Sequence, residues 1–432
     1  VARGYWRDRP RPVLLNNWEA TGMEFTEDSI VEIAKKGAEV GVELFVLDDG
    51  WFGKRTETSG LGDWYVDKSK LPNGVKGLAD RINGLGLKFG IWIEPEMANP
   101  DSDLFRAHPD YVLAAPGRRK SLGRNQMVLD YSNPRVIDYI YDQLMESFKD
   151  VDLAYIKWDM NCSITECYSA HWPADQQGEV YHRYILGVYS LYERLIKKFP
   201  NLLFESCASG GCRFDAGMLY YAPQAWCSDD TDAIERINIQ YGSSYGYPIS
   251  SWGAHVSEVP NQQTSRITSL RTRANVAYFG AFGYEMDLNQ MNAGEIEAVK
   301  EQVKFMKEHR ELIQFGDFYR LSSPFSNEYA SWMVVSPDKK EAIVGVYLLA
   351  STPNVGFKQI KLQGLNADFD YVIDEELVRG GDDLMEFGLI PVNIASHPID
   401  ASRGVLKKVD LVGEYDSKLY HLKAKNYNVI DI

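Results

Sequence analysis

Short apolar stretches alternate with longer amphipathic stretches along the first three-quarters of the chain. The short stretches are rich in β-branched and aromatic residues, which predicts buried strands, and the longer stretches have the apolar spacing of helices. The predicted strands cover residues 13–19, 42–47, 87–93, 154–161, 202–207, 224–227, 249–255 and 282–287, and the main helices cover 26–40, 76–85, 134–148, 181–198, 232–241 and 294–309. This repeated strand–helix alternation predicts an α/β fold, a (β/α)8 TIM barrel.

The pattern changes after about residue 314. Short stretches of alternating apolar and polar residues appear at 330–335 and 341–347, separated by turn residues such as those at 336–338 and 380–381. Such a pattern predicts antiparallel strands. We therefore expect two domains, a catalytic barrel over residues 1–314 and a C-terminal antiparallel β-sandwich over residues 315–432.

The fourth predicted strand carries three polar side chains in an apolar setting. Lys157, Asp159 and Asn161 stand at alternate positions, so in a strand all three point to one face. Burying a lysine, a carboxylate and an amide without partners is costly. Two interpretations stay open: a strand that ends at a cleft with a polar ligand, or a structural lysine–aspartate ion pair under a loop.

Acidic residues follow several of the predicted strands, at the end where TIM barrels place their active sites. Glycoside hydrolysis needs one ionised and one protonated carboxyl group across the scissile bond. Asp159 suits the nucleophile, because Lys157 two residues away would hold it ionised. Asp229, near Trp226 and other acids, suits the general acid, because such surroundings raise a pKa. Asp232 is expected to cap the following helix instead.

Six further side chains are candidates for binding a sugar. Asp48 and Asp49 would accept hydrogen bonds from adjacent hydroxyl groups, although an Asp-Gly turn is the competing interpretation. Trp18, Trp51 and Trp92 would wall the pocket, with core packing as the alternative. Arg124 would donate to the substrate or to an acid, or would form a surface ion pair.

Composition narrows the class of partner. The formal net charge is −15, which argues against nucleic acid and anionic membranes, and no apolar run reaches the length of a membrane span. The five cysteines follow neither a disulfide framework nor a familiar zinc spacing, so we expect a cytoplasmic protein without a metal or another cofactor. No signal peptide opens the chain, and Val1 is not a start methionine, which predicts a processed chain or a fragment.

The motifs in combination resemble those of glycoside hydrolase family 36 α-galactosidases. The resemblance rests mainly on Lys-Trp-Asp-Met-Asn (157–161) and Cys-Ser-Asp-Asp-Thr-Asp (227–232). Further matching motifs are Asn-Asn-Trp-Glu (16–19), Leu-Asp-Asp-Gly-Trp (47–51), Glu-Pro-Glu-Met (94–97), Arg-Asn-Gln (124–126), Glu-Ser-Cys (205–207) and Gly-Ala-His-Val-Ser (253–257).

The resemblance implies a retaining mechanism that releases terminal α-linked galactose from oligosaccharides of the melibiose and raffinose type. By it, Asp159 is the nucleophile and Asp229 the acid/base. The groups that recognise galactose are Asp48, Asp49, Trp92 and Lys157 on the 4- and 6-hydroxyl side, Arg124 on the substrate side, Trp18 at the entrance, and Cys207, Ser209 and Gly210 near the 2-hydroxyl. Asn161 and Trp226 complete the expected site.

Two departures from the family pattern leave alternatives open. The family usually carries an N-terminal β-sandwich before the barrel, so we expect a homo-oligomer if the full protein includes that domain. The loop at 207–212 lacks the usual uninterrupted glycines, which keeps an α-N-acetylgalactosaminidase open. Outside hydrolases, the alternatives are a Schiff-base aldolase with Lys157 as its amine, and a non-catalytic sugar-binding barrel.

Overall fold

The computed structural model of the protein describes residues 1–351, 358–392, 411 and 413–425. The strands of the barrel region are β1 (Leu14–Asn16), β2 (Leu44–Leu47), β3 (Lys88–Ile93), β4 (Met97–Ala98), β5 (Met127–Val128), β6 (Leu153–Trp158), β7 (Leu203–Ser206), β8 (Gln224–Trp226), β9 (Trp252–Ser257) and β10 (Ala281–Glu285). Eight of them close into a barrel in the order β1-β10-β9-β8-β7-β6-β3-β2, which confirms the predicted fold class. The other two, β4 and β5, form a separate antiparallel pair.

Parallel pairing puts the carboxyl ends of neighbouring strands at one end of the barrel. In the pair β6 and β7, Tyr155 lies opposite Leu203, and in the pair β1 and β2, Leu14 lies opposite Leu44. These four side chains and Val46 form one buried apolar cluster. The residues that follow the strands therefore meet at the opposite end from the strand starts.

Helices connect the strands and begin at residues suited to capping. They are α1 (Trp18–Thr21), α2 (Glu27–Glu39), α3 (Gly74–Asn83), α4 (Asp103–Ala107), α5 (Pro134–Ser147), α6 (Val180–Lys198), α7 (Ala216–Tyr221), α8 (Ala233–Ser243), α9 (Leu270–Ala277) and α10 (Ala293–Phe315). Thr26 caps α2 through a reciprocal pair of hydrogen bonds with Ser29. Asp232 caps α8 by accepting the backbone N–H groups of Ile234 and Glu235, which confirms its predicted role.

The fourth predicted strand is shorter than expected. The sequence predicted a strand over residues 154–161, whereas β6 ends at Trp158. The Asp159 backbone N–H still donates to the Ile93 carbonyl at 2.8 Å, and the Asn161 backbone N–H then donates to the Glu94 side chain at 2.5 Å, outside the strand ladder. Asp159 and Asn161 therefore lie beyond the strand, at its carboxyl end.

The C-terminal part of the chain is built on an antiparallel sheet, as predicted. Its elements are β11 (Asp317–Ser322), β12 (Tyr329–Val335), β13 (Glu341–Leu348), β14 (Lys358–Ile360), β15 (Asp370–Ile373), β16 (Leu377–Gly380), α11 (Gly381–Glu386), β17 (Leu389–Val392) and β18 (Ser417–Ala424). Six strands pair in the order β11-β12-β13-β18-β15-β16, and β14 pairs with β17 in a small second sheet. Ile360 of β14 and Leu389 of β17 pack in one apolar core with Val344 and Leu422 of the larger sheet.

The chain divides into two compact units, and their bounds do not follow the order of the chain. One unit comprises Val1–Asp229 and Gly283–Lys304, and the other comprises Asp230–Phe282 and Phe305–Ile432. In the second unit, the side-chain amide of Asn275 on α9 donates to the Ser417 hydroxyl at 2.9 Å, and the Tyr347 hydroxyl donates to the Asn275 carbonyl at 2.8 Å. These contacts tie α9 to the sheet. The division into domains at residue 314 stays a prediction.

No helix in the described ranges combines the length and the apolar character that a membrane span requires.

Candidate active site

Two aspartates stand after neighbouring parts of the barrel wall. Asp159 follows β6 directly, Asp229 comes three residues after β8, and β7 separates the two strands. Burial raises the pKa of the Asp229 carboxyl, and the negative charge of Asp159 raises it further. This interaction requires the two carboxylates to be close to each other. The structure thus brings together, at one end of the barrel, the two residues that the sequence predicted as catalytic.

The carboxylate of Asp159 is held by donors from two loops. It accepts the backbone N–H of Met160 at 2.8 Å, the side-chain amide of Asn161 at 2.7 Å and the backbone N–H of Ser209 at 3.4 Å. Its residue is only 7% exposed. These donors fix the position and orientation of the Asp159 carboxylate.

Lys157 forms an ion pair that the sequence did not identify. Its amine donates to Asp48 at 3.0 Å, in a buried ion pair that joins β6 to the end of β2. Asp48 also accepts the side-chain amide of Asn16 at 2.7 Å. Burial opposes the charge on Lys157, but the carboxylates around it, led by Asp48, outweigh burial and raise its pKa well above the usual range. The amine is thus engaged by Asp48, and the expectation that Lys157 holds Asp159 ionised stays a prediction.

Asp49 is paired as well, with an arginine that the sequence did not single out. The Arg55 guanidinium donates to both Asp49 oxygens, at 2.9 and 2.7 Å, and both side chains are buried. Burial raises the pKa of Asp49, and the charge of Arg55 opposes that increase. Nothing in the sequence distinguishes Arg55 from other arginines in polar loops, so only the folded chain identifies this partner.

Glu94, at the end of β3, is a fully buried carboxyl group between two parts of the site. One oxygen accepts the Asn161 backbone N–H at 2.5 Å, and the other accepts the Gln126 side-chain amide at 3.2 Å. Burial, followed by the charge of Asp159, raises the pKa of Glu94 well above the usual range. The sequence placed Glu94 among the acids that end strands, but its link to both Asn161 and Gln126 was not predicted.

Glu96, which the sequence grouped with Glu94, has a different environment. The Arg213 guanidinium donates to both of its oxygens, at 2.8 and 2.7 Å, and the Trp158 indole N–H donates at 2.7 Å. The Tyr184 hydroxyl also donates to it. With both oxygens occupied by protein donors, Glu96 is a structural group that fixes the surrounding side chains.

The loop after β7 lies against the segment that carries Asp229. The thiol of Cys207 is buried, and burial together with the charge of Asp159 raises its pKa well above the usual range. The Ser209 hydroxyl donates to the side-chain carbonyl of Asn161 at 2.9 Å. Gly210 has a φ of +80°, and a Cβ atom there would lie 2.7 Å from the Cα of Ser228. Glycine therefore permits the close approach of the two segments.

Arg124 is presented by a tight two-residue turn. Gly123 and Gln126 exchange backbone hydrogen bonds of 3.2 and 2.9 Å, and Arg124 and Asn125 between them have φ values of +51° and +60°. This is the left-handed region, which costs energy for residues other than glycine and is often retained at binding sites. The Arg124 side chain is exposed and forms no hydrogen bond or ion pair with any described residue. Its charge acts on Asp229, against the increase in pKa that burial causes.

Three of the tryptophans predicted at the site differ in their surroundings. Trp92 is 3% exposed, and its ring lies 6.2 Å from Phe52 and 6.4 Å from Trp64, so much of it packs in an aromatic cluster. Trp18 is half-buried at the start of α1. Trp226 ends β8, and the amine of Lys157 lies 5.6 Å from the centre of its ring.

Comparisons with known proteins identify the family of the chain. The Melibiase family model matches residues 1–316, and the glycosyl hydrolase family 36 C-terminal domain matches residues 329–422. The chain is 51% identical to α-galactosidase AgaA of Geobacillus stearothermophilus, over 90% of this chain and 54% of that protein. It is 46% identical to α-galactosidase 1 of Pediococcus pentosaceus, over 99% of this chain and 56% of that protein.

Solved structures give the same result. A structure of an AgaA variant in complex with raffinose is similar over 98% of this chain and 57% of that chain, with a TM-score of 0.92 and 48% sequence identity. Another AgaA variant, in complex with stachyose, is similar to the same extent. The chain spans about half the length of the curated relatives it matches.

Proposed function

The chain belongs to glycoside hydrolase family 36, and from this premise we propose that it hydrolyses terminal α-linked galactose with retention of configuration. One observation carries the proposal. Two carboxyl groups with different surroundings stand at the same end of the barrel, Asp159 bound by three hydrogen-bond donors and Asp229 with a raised pKa. Retaining glycosidases need such a pair, one carboxylate as the nucleophile and one carboxyl group as the acid.

Asp159 is the proposed nucleophile. One of its oxygens attacks the anomeric carbon of galactose and forms a covalent glycosyl-enzyme as the bond to the leaving oxygen breaks. Its donors, Met160, Asn161 and Ser209, fix the carboxylate in place. Such fixed dipoles need no reorganisation at the moment of reaction.

Asp229 is the proposed acid/base. Its raised pKa keeps it protonated at a higher pH than an ordinary aspartic acid, so it can donate a proton to the leaving oxygen. Once the leaving group has departed, the Asp229 carboxylate can take a proton from the water that cleaves the glycosyl-enzyme. The Asp229 residue as a whole is exposed, while enough protein surrounds its carboxyl group to raise the pKa, so this group can meet the leaving group and water in turn.

We assign sugar recognition to the groups around this pair. The ion pair of Lys157 and Asp48 presents a donor and an acceptor together, which suits adjacent hydroxyl groups. Asp49 would act beside it. The remaining proposed contacts are Trp18, Trp92, Trp226, Arg124, Asn161, Cys207, Ser209 and Gly210.

Oligosaccharides of the raffinose and stachyose type are the proposed substrates. Support comes from the relatives at 48% identity that bind these two sugars. The exposed Arg124 stands on a turn that can reach beyond the galactose unit toward the rest of such a chain. A preference for a 2-acetamido sugar stays the alternative within hydrolases.

A Schiff-base aldolase is disfavoured by the state of its amine. Nucleophilic lysines need a depressed pKa, and the carboxylates around Lys157 raise its pKa instead. Moreover, the amine is engaged by Asp48 at 3.0 Å. The non-catalytic alternative, a sugar-binding barrel, predicts binding without turnover.

Hydrolysis of p-nitrophenyl α-galactoside by the wild-type chain and three variants tests the proposal. We expect Asp159→Ala to lose at least about a thousandfold in kcat, and azide to restore turnover with β-galactosyl azide as the product. Asp229→Asn should lose activity without forming that product. The matched control is Asp152→Ala, an exposed aspartate before the other end of β6, which should retain full activity.

The outcomes separate the alternatives. Full activity in Asp159→Ala would contradict the assignment, and binding without turnover by the wild type would favour the non-catalytic barrel. A higher kcat/KM on the 2-acetamido analogue than on the galactoside would favour the N-acetylgalactosaminidase. Trapping of the chain by borohydride with substrate would favour the aldolase.

Location and assembly complete the proposal. The five cysteines are free, which suits a reducing compartment, and we place the protein in the cytoplasm. Formation of a homo-oligomer remains a prediction, and the mass of the purified full-length protein by light scattering would test it.

A further inference from the structure

A cluster of two histidines and a glutamate lies in the second compact unit. The Nδ1 atom of His309 is 3.5 Å from the Oε1 atom of Glu341, and the Nε2 atom of His421 is 2.6 Å from the same oxygen. All three ligand atoms lie within 4.8 Å of one another. We call His309, Glu341 and His421 the His–Glu cluster.

The topology of the sheet and one helix builds the cluster. In the antiparallel pair of β13 and β18, Ile343 lies opposite His421 and Glu341 lies opposite Lys423. Residues two apart on a strand share a face, so Glu341 and His421 point to the same side of the sheet. His309 comes from the last turns of α10, and its ring lies 4.6 Å from that of His421. Three elements therefore converge on one point.

The chemistry of the three groups is that of a zinc site. Zn²⁺ prefers imidazole nitrogens and carboxylate oxygens at about 2.0–2.2 Å, in a tetrahedral arrangement. Tetrahedral ligands at that distance are separated by about 3.4 Å. The separation of 3.5 Å between His309 and Glu341 already matches, and the contact of 2.6 Å between His421 and Glu341 needs to lengthen by less than an ångström. Two histidines, one glutamate and a water form a set of ligands known from zinc proteins.

We propose that the His–Glu cluster binds one Zn²⁺ ion, with water as the fourth ligand. The site belongs to the C-terminal sheet and is separate from the proposed catalytic aspartates, so it does not rest on the proposed function. Its effect is to join the end of α10 to β13 and β18, because each element supplies one ligand. The sequence predicted no metal, since its reasoning followed the cysteine spacing, whereas these three ligands are far apart in the chain.

The positive charge of Lys423 should weaken zinc binding at the His–Glu cluster. It is the register partner of Glu341 and shares the face of His421, and its positive charge acts on His309. A cation bound at the cluster would be repelled by Lys423 and attracted by Glu308, which also acts on His309. Replacing Lys423 by glutamine should therefore tighten zinc binding, whereas loss of any ligand should weaken it.

The test is a titration of the tag-free full chain with ZnCl₂ and CoCl₂ after treatment with a chelator. We expect one tightly bound equivalent, a visible Co²⁺ spectrum of nitrogen and oxygen ligation, and an increase in Tm on adding metal. His421→Ala and Glu341→Gln should each weaken binding by at least about tenfold. The matched control is His182→Ala, an exposed histidine on α6, which should bind as the wild type does.

Four results would overturn the proposal. Three of them are unchanged affinity in His421→Ala and Glu341→Gln, a thiolate-to-cobalt charge-transfer band that assigns the metal to cysteines, and equal weakening in His182→Ala. Glu341→Gln keeps the shape of the side chain, so it remains informative if His421→Ala folds poorly. Weaker binding in Lys423→Gln would likewise contradict the site.

Discussion

Replacing Lys157 by methionine tests how the buried centre of the barrel is held together. Methionine keeps the unbranched side chain as far as Cε but removes the amine, so Asp48 loses its cation while staying buried. At 3.0 Å, with an effective dielectric constant of about 20, the attraction within this ion pair is about 5.5 kcal/mol. Removing one partner of a buried pair typically costs about 3–5 kcal/mol, because the other charge is left without a counter-ion. We therefore expect Lys157→Met to lower the free energy of unfolding by about 3–5 kcal/mol.

Urea-induced unfolding followed by tryptophan fluorescence is the assay. Nine of the ten tryptophans precede residue 316, so the signal reports mainly on the barrel part of the chain. The matched control is Lys76→Met, which breaks an exposed ion pair with Asp80 whose side chains are 50% and 58% exposed. Exposed pairs contribute about 0–1 kcal/mol, so this variant should unfold almost as the wild type does.

The double variant Lys157→Met/Asp48→Asn separates charge from packing. It removes both charges, so it should recover at least half of the stability lost in Lys157→Met, although its activity should remain low. A cost below about 1 kcal/mol for Lys157→Met, equal to that of Lys76→Met, would refute the reasoning. The reasoning would also be refuted if the double variant lost more free energy of unfolding than the two single variants lose together.

The remaining predictions concern the mouth of the barrel. Asp229 acts while protonated, and its pKa is raised, so kcat/KM should fall as the pH rises. A pH profile should place the midpoint of this fall above the ordinary aspartic pKa of about 3.9. Gly210→Ala should lower kcat at least about tenfold, since its Cβ atom would clash with Ser228. The control is Gly86→Ala, where φ is +85° but no atom lies within 4 Å of the new Cβ, so it should lose only about 1 kcal/mol of stability. Arg124→Ala should raise KM and change unfolding by less than about 0.5 kcal/mol, since its side chain bonds to no described residue. Glu94→Ala should lower the free energy of unfolding by about 2–4 kcal/mol, because the donors of Gln126 and Asn161 lose their acceptor. Glu94→Gln should cost less, because the raised pKa of Glu94 already favours a neutral group, and urea unfolding distinguishes the two variants.

The fold could be predicted because its signals are local. The spacing of apolar residues identified the strands and main helices, and capping side chains such as Thr26 and Asp232 set where helices begin. Helix α9 was not predicted, because Thr272, Arg273 and Asn275 are buried in it and no apolar stripe marks its inner face. Its burial depends on polar partners that come from elsewhere in the fold.

The sequence predicted which residues lie at the candidate site but not which of them pair with each other. A barrel brings the ends of its strands together, so the acids after the strands could be grouped from the sequence. Which charge pairs with which could not, because Asp48 and Lys157 meet only once β2 and β6 are in place. The same reason hides Arg55 and the His–Glu cluster, whose members share no short motif.

Glu94 has a consequence for anyone who would redesign the specificity of this barrel. The same buried carboxyl group holds Gln126, at the foot of the turn that carries Arg124, and Asn161, which donates to Asp159. A transplanted turn from another enzyme would therefore alter the support of the reacting carboxylate, even if it never touched the sugar. Mutant libraries that vary this turn should therefore vary Glu94 and Asn161 together with it.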